Sequence, residues 1–446
     1  MVRRSVNLLG VRWRRLLSLS VLLFGLTEGV WGVLQLCGIV SSGHPRYPVT
    51  GSFYNPGPYG CLIGAILPVA LNMFLTSRRR LGRVLPAVYV LIAALLLPGG
   101  MSRTGWGAAV VGSAVVLAGL YREKIGRLPA RRLWLAAGVG AAGLLALVVG
   151  AYYLKPDSAD GRLLLWKIGC RAATLGGAGW ENVAGAFGDA QEDYFASGLG
   201  TAREVMLAGT PAYVFNEYIQ LAIAFGWPVA VLFAAAMTGA AAIYWRRGDF
   251  GNCGVVVALM VVCMASYPFQ FVEFKVLTAI AVAGGLLSVR NRAARLAAVA
   301  VWLLAAGWFI CRTGEVDVVY DFNMAKREQR LGRYEDSCLR LKRILPRTSD
   351  PMPLNMLGLN YQAMGRPDSA EQCFMRAANR VPNRLYPHYL LMKLYSETGD
   401  TPRMRRQARI LLAKPPKTHS TAVEEMRRDA RERLKQNSAD HDSGDR

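Results

Sequence analysis

The chain has 446 residues and a net charge of +23, and its composition is 53% hydrophobic with only 19% charged residues. This content is too apolar for an ordinary soluble protein and places the chain among membrane proteins. A nucleic-acid-binding protein collects its Lys and Arg residues on one soluble face, whereas much of the excess here lies in short clusters between apolar runs. We therefore expect membrane lipids as partners and no nucleic acid.

Cys and His residues do not form the patterns that hold metals. The eight Cys residues contain no CxxC pair, and none of the four His residues lies at metal-ligand spacing from another. These patterns argue against a disulfide framework and against a zinc site. The sequence therefore predicts neither a metal nor a cofactor.

Apolar segments near the length that crosses about 30 Å of hydrocarbon recur along the first two thirds of the chain. The segments lie at residues 16–40, 58–76, 84–100, 105–121, 133–154, 212–245, 253–268, 270–289 and 296–311. The first one follows a basic stretch and resembles a signal peptide, but it is long and has no small-x-small cleavage site, which favours a retained helix. The prediction is an all-α polytopic membrane domain over residues 1–311 with about nine crossings.

The distribution of basic residues predicts how these segments are oriented. The short loops on one face contain only Arg46, Arg103 and Lys275, whereas the segment ends on the other face carry nineteen Lys and Arg residues. The nineteen are Arg3, Arg4, Arg12, Arg14, Arg15, Arg78, Arg79, Arg80, Arg83, Arg122, Lys124, Arg127, Arg131, Arg132, Arg246, Arg247, Arg290, Arg292 and Arg295. Because basic residues accumulate on the cytoplasmic side, we expect the N-terminus there and the C-terminal part on the outer face.

Two larger polar regions then lie on the outer face, a loop of residues about 155–211 and everything after Arg312. The loop is rich in Gly and aromatic residues, as a folded, substrate-facing insert is. Beyond residue 312 the composition becomes charged and helix-forming.

Glycines recur in this C-terminal region at a nearly constant interval. Gly332, Gly365 and Gly399 are 33 and 34 residues apart. A Pro closes each unit, at Pro346, Pro382 and Pro415, and small residues such as Ala370 and Ala377 lie on the packing face. This period is typical of tetratricopeptide repeats, so we predict a repeat domain over residues 312–416; irregular helical hairpins are the alternative. Residues 417–446 are predicted to form a charged helix and a disordered tail.

The short outer segments contain residues that suit polar contacts at headgroup depth. Asn55 and Tyr59 lie in a turn restricted by two Pro and two Gly residues. Arg103 follows at the next outer turn, as a cation where few others occur. An interfacial aromatic turn and a snorkelling Arg anchor are the alternative interpretations.

The large loop contributes further polar candidates. Arg162 precedes the amphipathic stretch Leu163–Ile168, and Gln191, Tyr194 and Arg203 follow within the loop. At its end, Asn216, Glu217 and Gln220 share a helical face inside an apolar stretch. Polar residues at membrane depth are costly and are usually functional.

The order of these segments resembles the O-antigen ligase and polymerase family of bacterial envelope glycosyltransferases. That family combines many crossings with a GSFxNPGPY-like segment, an SR-x-x-W-like segment and one large periplasmic loop that ends in an HN-x-Y-L-like motif; several members add tetratricopeptide repeats. The similar stretches here are Gly51–Tyr59, Ser102–Trp106 and Phe215–Ile219. The resemblance covers residues about 45–290 and the repeats beyond them.

The resemblance implies transfer of a glycan from a polyprenyl (undecaprenyl) diphosphate carrier to an acceptor hydroxyl on a lipid, glycan or protein. The reaction would take place at the periplasmic face of the bacterial inner membrane without a metal. Arg162, Arg103 and Arg203 are the candidates that hold the diphosphate, because guanidinium stays charged and pairs bidentately with phosphate oxygens.

For the general base, Glu217 is the first choice, because burial raises a carboxyl pKa toward useful values. Asp189, Glu192 and His44 are alternatives, and a structural ion pair with Arg162 or Arg203 is the other interpretation of Glu217. By the same resemblance, several polar residues are expected to form hydrogen bonds with the substrate. These are Asn55, Tyr59, Gln191, Tyr194 and Asn216.

The chain departs from the family pattern at two places. Phe215 occupies a position where many members have His, so a His base cannot be transferred to this chain. Only one predicted helix precedes the Asn55 turn, where members commonly have several, so we expect a short N-terminal version or a start further upstream. A polymerase, a non-catalytic membrane scaffold that displays the repeats to a protein partner, and a transporter stay open as alternatives.

The predicted orientation can be tested with reporter fusions. Fusions at Gly82 and Gly126 should report the cytoplasm, and fusions at Gly43 and Gly399 should report the periplasm, because the basic residues hold the intervening segments in one orientation. A cytoplasmic signal at Gly399 would overturn both the helix count and the placement of the repeats.

Overall fold

The structure, a computed structural model, describes residues 2–154, 156–287, 289, 291–311, 317–415 and 420–443. Within these ranges all regular secondary structure is helical, as the all-α fold class predicts. The predicted starts of the repeat domain at residue 312 and of the final helix at residue 417 lie outside the described residues, as do Lys155 and Arg290.

The helices divide between two compact units. In chain order they are α1 (Val2–Leu36), α2 (Pro56–Thr76), α3 (Leu81–Gly99), α4 (Arg103–Leu120), α5 (Arg122–Gly126), α6 (Ala130–Leu154), α7 (Pro156–Ala172), α8 (Val183–Ala196), α9 (Ala202–Leu207), α10 (Glu217–Phe225), α11 (Trp227–Arg246), α12 (Phe250–Ala265), α13 (Val272–Leu286), α14 (Arg292–Cys311), α15 (Val318–Arg330), α16 (Tyr334–Ile344), α17 (Met352–Ala363), α18 (Pro367–Arg380), α19 (Tyr386–Glu397), α20 (Thr401–Ala413) and α21 (Thr421–Ser443). The first unit contains α1 to α6, Phe215–Tyr218 and α11 from Val229 through α14. The second contains α7 to α9, Ile219–Pro228 and α15 to α21.

Among the described residues, five helices are long and apolar enough to cross a membrane. They are Arg15–Leu36 within α1, together with α2, α3, α4 and α11. Phe250–Ala265 and Arg295–Ala305 are shorter apolar helices. Such helices are expected of a multi-pass membrane protein, and helices also occupy the other predicted segments, while nine crossings stay a prediction.

The predicted crossing 212–245 is divided in the structure, because α10 ends at Phe225 and α11 begins at Trp227. Gly226 lies between them with φ +90°, and a Cβ there would come within 2.0 Å of the Leu175 carbonyl oxygen. Only glycine combines this backbone conformation with so close a contact. The apolar segment therefore contains a break that hydropathy alone does not reveal, and its first third is a separate helix.

In the first unit, α2, α4 and α12 pack so closely that their backbones touch. A Cβ on Gly64 would lie 2.2 Å from the Gly105 carbonyl oxygen, and one on Gly105 would lie 2.4 Å from the Gly60 carbonyl oxygen. Gly112 and Gly254 make a similar contact between α4 and α12. Small residues at such crossings allow the close backbone approach that holds membrane helices together, because apolar burial does little between helices in lipid.

This packing places the N-terminal ends of α2 and α4 side by side. Asn55 caps α2 by accepting a hydrogen bond from the Gly57 amide at 2.9 Å, and Ser102 caps α4 by accepting one from the Gly105 amide at 3.2 Å. The Ser102 hydroxyl also donates to the Gly57 carbonyl at 2.9 Å, which joins the two caps. The predicted outer turns that contain Asn55 and Arg103 are therefore neighbours.

The second unit contains three consecutive helical hairpins, α15 with α16, α17 with α18 and α19 with α20, followed by α21. Gly332, Gly365 and Gly399 follow the first helix of each hairpin with φ between +71° and +78°. A residue with left-handed backbone commonly ends a helix, and Gly adopts it without steric cost. The Gly spacing thus coincides with the hairpins, and their assignment to the tetratricopeptide class stays a prediction.

The backbone contact at Gly105 can be tested with a single methyl group. Gly105→Ala should lower the free energy of unfolding by about 1–3 kcal/mol, because its Cβ would meet the Gly60 backbone, which cannot rotate away. Gly107→Ala in the same helix is the control, since its Cβ would meet only a Val261 methyl at 3.7 Å. Thermal unfolding in detergent measures both, and equal melting temperatures for the two variants would contradict the contact.

Candidate functional site

Four segments of the first unit are linked by hydrogen bonds, and we call them the Glu217 cluster after their acidic residue. They are the turn at Phe53–Asn55, the start of α4 at Ser102–Thr104, the segment Phe215–Glu217, and Ala265–Phe271 between α12 and α13. The Asn55 side-chain amide donates to the Tyr267 hydroxyl at 3.0 Å, and the Thr104 hydroxyl donates to the Ala265 carbonyl at 3.2 Å. Phe269 donates its backbone N–H to Glu217 at 2.8 Å. Segments up to 212 residues apart in sequence thus form one polar cluster.

Glu217 is the most deeply buried acid of this cluster, with no exposed side-chain surface. One carboxyl oxygen, Oε1, accepts the Phe269 bond, and the other, Oε2, is buried without a hydrogen-bond partner among the described residues. Glu217 precedes the candidate span Trp227–Arg246, and burial raises its pKa to about 8, although the Phe269 bond and the Lys275 charge oppose the shift. The raised pKa agrees with the expectation that burial shifts this carboxyl group, and its role as a base stays a prediction.

Two residues of the chain hold strained backbone conformations next to the predicted site residues. Phe215 has φ +55° and Met101 has φ +45°, and they are the only non-glycine residues with positive φ that the structure describes. Such conformations cost about 1–3 kcal/mol each and cluster at functional sites. The Phe215 ring contacts the Tyr267 ring edge to face, with centroids 4.9 Å apart. This contact fixes the backbone that leads into Asn216 and Glu217.

Arg103 is the first residue of α4, directly after the Ser102 cap, and its side chain is half-buried. A helix N-terminus already carries partial positive charge and unpaired amide groups. A guanidinium placed there raises the local positive potential further, which costs energy unless an anion offsets it. The role predicted for Arg103 in holding a phosphate group stays a prediction.

Two further predicted residues of the first unit have partners within the protein. Tyr59 is fully buried, and its hydroxyl donates to the Glu28 carbonyl at 2.9 Å. Asn55 uses its carbonyl oxygen to cap α2 and its amide to reach Tyr267. Asn216 is buried beside Glu217. The part that these residues would have in binding a substrate stays a prediction.

The predicted loop residues belong to the second unit, where Arg162 is half-buried in α7. Arg203 forms ion pairs with Asp157 and Asp160, the latter at 3.2 Å, and so joins α9 to the start of α7. Within the Leu163–Ile168 stretch, Leu163 is exposed and Ile168 is buried, and its amphipathic character stays a prediction.

Tyr194 is buried at the centre of a hydrogen-bond network in the same unit. Its hydroxyl accepts from the Lys167 ammonium at 2.6 Å and lies 2.8 Å from the Glu204 carboxylate. Burial alone would raise the pKa of Glu204, but hydrogen bonds, chiefly that from Lys167, lower it to about 2. Glu204 is therefore ionised at neutral pH, and Tyr194 is held by both charges.

Three loop residues proposed for chemistry contact the helical hairpins. Gln191 donates to the carbonyl oxygens of Gly209 and Arg380, and Asp189 and Glu192 pair with Arg380. Both acids are thus ion-pair partners of a buried guanidinium. Asp189 and Glu192 therefore have structural partners, whereas the Oε2 atom of Glu217 has none among the described residues, and the identity of a general base stays a prediction.

Sequence reasoning did not select Tyr267, Phe269 or Lys275 for the site. Tyr267 and Lys275 lie inside the predicted crossings 253–268 and 270–289, and Phe269 is the one residue that the prediction leaves between them. Pro268 could have indicated the break, and Lys275 the polar environment, because a proline inside an apolar run marks a helix end. The partner that binds Glu217 is a backbone N–H, which no side-chain pattern reveals.

No group of three or more His, Cys, Asp or Glu residues in the described part of the chain is placed to hold a metal ion. Comparison of the chain with known protein families, with curated proteins and with solved structures gives no match.

The buried carboxyl group has a consequence for stability that can be measured. Its folded-state pKa of about 8 lies above the usual value of about 4.3, so the wild type should lose stability relative to Glu217→Gln as the pH rises from about 4.3 to about 8. Glu273→Gln, at a partly exposed carboxylate on α13, is the control. Melting temperatures in detergent at several pH values measure the difference. A constant gap between wild type and Glu217→Gln across this range would show that Glu217 is not desolvated.

Proposed function

We propose that this protein is a membrane glycosyltransferase that moves a glycan from a polyprenyl diphosphate carrier to an acceptor hydroxyl. The observation that carries the proposal is the Glu217 cluster. It joins a fully buried carboxyl group, one oxygen of which has no hydrogen-bond partner in the part of the chain that the structure describes, with the start of α4 that bears Arg103. Three of its four segments are those on which the resemblance to O-antigen ligases and polymerases rests.

In the proposed reaction, Glu217 acts as the general base. Ionised Glu217 takes the proton of the acceptor hydroxyl through Oε2 while Phe269 holds Oε1. The acceptor oxygen forms a bond to the anomeric carbon of the glycan, and the bond from that carbon to the diphosphate oxygen breaks. The lipid diphosphate leaves with the electron pair of that bond.

The leaving group gains negative charge as its bond breaks, and cations must stabilise it. Arg103 and the α4 N-terminus supply positive charge within the first unit. Arg162 is proposed as a further diphosphate ligand on the strength of the resemblance. Arg203 is a weaker candidate, because Asp157 and Asp160 already bind its guanidinium.

The proposal includes nine crossings in the bacterial inner membrane, with the large loop and a tetratricopeptide domain in the periplasm. Support for the orientation comes from the nineteen basic residues on one face against three on the other. Support for the repeats comes from three successive hairpins, in which Gly332, Gly365 and Gly399 each lie between the two helices of one hairpin. The acceptor is a hydroxyl of a lipid, a glycan or a protein.

The proposal is tested by glycan transfer in purified membranes that contain equal amounts of each variant. Glu217→Gln should lower the rate on the order of 100-fold or more, because it removes the base but keeps the shape of the side chain. Arg103→Lys should lower the rate as well, since Lys keeps the charge but loses the planar two-point contact. The wild-type rate should rise with pH to a plateau above about pH 8, because the ionised carboxylate is the active form.

Glu273→Gln is the control and should transfer at the wild-type rate. Near-normal transfer by Glu217→Gln would remove this residue from the mechanism. A deletion strain separates the related activities, because loss of acceptor-linked polysaccharide indicates a ligase and single-repeat products indicate a polymerase. An unchanged glycan profile would contradict the proposal and favour a scaffold.

A further inference from the structure

Helix α8 in the large loop has two opposite faces with different partners. Val183, Phe187 and Tyr194 lie along one face and pack in an apolar core with Leu164 and Ile168 of α7. Residues spaced by three and four positions share a helix face, and these three fit that spacing. The loop helix that carries Arg162 is therefore held by one side of α8.

The opposite face of α8 contacts the helical hairpins through its backbone and through charge. A Cβ on Gly185 would lie 1.9 Å from the Pro346 carbonyl oxygen, so the backbones touch there. Arg380 pairs with both Asp189 and Glu192, the latter at 3.2 Å, although only 1% of the Arg380 side chain is exposed. Arg376 donates to Glu192 at 2.6 Å.

The end of the loop is bound to the hairpins at a second place. The Asn383 amide donates to the backbone carbonyls of Val205, Met206 and Ala208, at and just beyond the C-terminal end of α9. The Ser349 hydroxyl donates to the Pro211 carbonyl at 2.9 Å. These bonds occupy carbonyl groups that a helix end leaves without intrahelical partners. The hairpins thus bind the loop at α8 and again at the C-terminal end of α9 and at Pro211.

The ion pair at Arg380 is costly to form, which argues that it has a specific role. Burial removes the guanidinium from water, and its Nε atom has no hydrogen-bond partner in the described chain. A buried ion pair gains little net stability, but loss of one partner leaves an uncompensated charge and is strongly destabilising. Such a contact fixes one geometry rather than adding binding energy.

We propose that the helical hairpins brace the large loop, and that Arg380 is a positioning residue for Arg162. Arg380 holds α8, α8 packs against α7, and α7 carries Arg162. This inference rests on the proposed function and on the role predicted for Arg162. It assigns to the hairpins a part in glycan transfer, because the surface formed by α18 and the Leu345–Arg347 turn binds a segment of the same chain.

The test combines hydrogen exchange and glycan transfer in the full-length protein in lipid nanodiscs. In Arg380→Ala, the backbone amides of α7 and α8 should exchange at least tenfold faster than in the wild type. The amides of α15 and α16 should keep wild-type exchange rates, because the substitution breaks only the contact between α8 and the hairpins. The kcat for transfer should fall on the order of tenfold or more through the misplaced Arg162, with a smaller change in KM.

Two further variants guard against a general folding defect. Arg403→Ala is the matched control, since Arg403 forms an exposed ion pair with Glu371 at 3.1 Å, away from α8, and should leave exchange and transfer unchanged. Asn383→Ala removes the second contact without stranding a buried charge, and it should show the same pattern of faster exchange in the loop. If the Arg380→Ala protein does not accumulate in the membrane, the exchange rates of Asn383→Ala decide whether the hairpins brace the loop.

Wild-type exchange rates for the α7 amides in both Arg380→Ala and Asn383→Ala would overturn the proposal that the hairpins brace the loop. Faster exchange in α7 with wild-type kcat would overturn the positioning role while leaving the proposed function intact. A wild-type protein that transfers no glycan would instead overturn the proposed function, and the exchange rates would still decide whether the hairpins brace the loop.

Discussion

The contact between the α2 and α4 backbones is the constraint on which the first unit depends. Lipid tails are as apolar as the side chains, so apolar side chains gain little when they leave lipid to contact one another. Membrane helices therefore associate through close packing and polar contacts. Gly64 and Gly105 remove the side chains that would separate the two helices. The caps at Asn55 and Ser102 then lie side by side, and from that pair of caps the hydrogen bonds extend to the segment that follows α12.

A buried carboxyl group within such a frame is an energetic liability. Glu217 has one oxygen that accepts a hydrogen bond and one that is buried without a partner among the described residues, and Phe215, two positions earlier, is held in a left-handed conformation. Burial and strain of this kind persist only where the surrounding structure fixes the backbone firmly. The ring contact between Phe215 and Tyr267 and the hydrogen bond from Phe269 to Glu217 supply that restraint.

The second unit uses its charges differently. Asp189, Glu192, Arg376 and Arg380 neutralise one another where the loop meets the hairpins. Charged residues that sequence reasoning considered for chemistry are therefore structural partners here. Loop and hairpins form one folded body instead of two independent parts, so the function of one cannot be assigned without the other.

Local pattern in the sequence determined the helices, the apolar segments and the hairpin turns at Gly332, Gly365 and Gly399, because hydropathy, helical period and glycine conformation act over short stretches. The choice of Glu217 and Arg103 rested on polar residues at membrane depth and on the family resemblance, and their roles stay predictions. Only the tertiary structure decided the break at Gly226, the Phe269 amide that binds Glu217, and the pairing of Glu192 with Arg380. Each depends on groups that lie about 50 to 190 residues apart, and a hydrogen-bond partner at that separation leaves no mark on local composition.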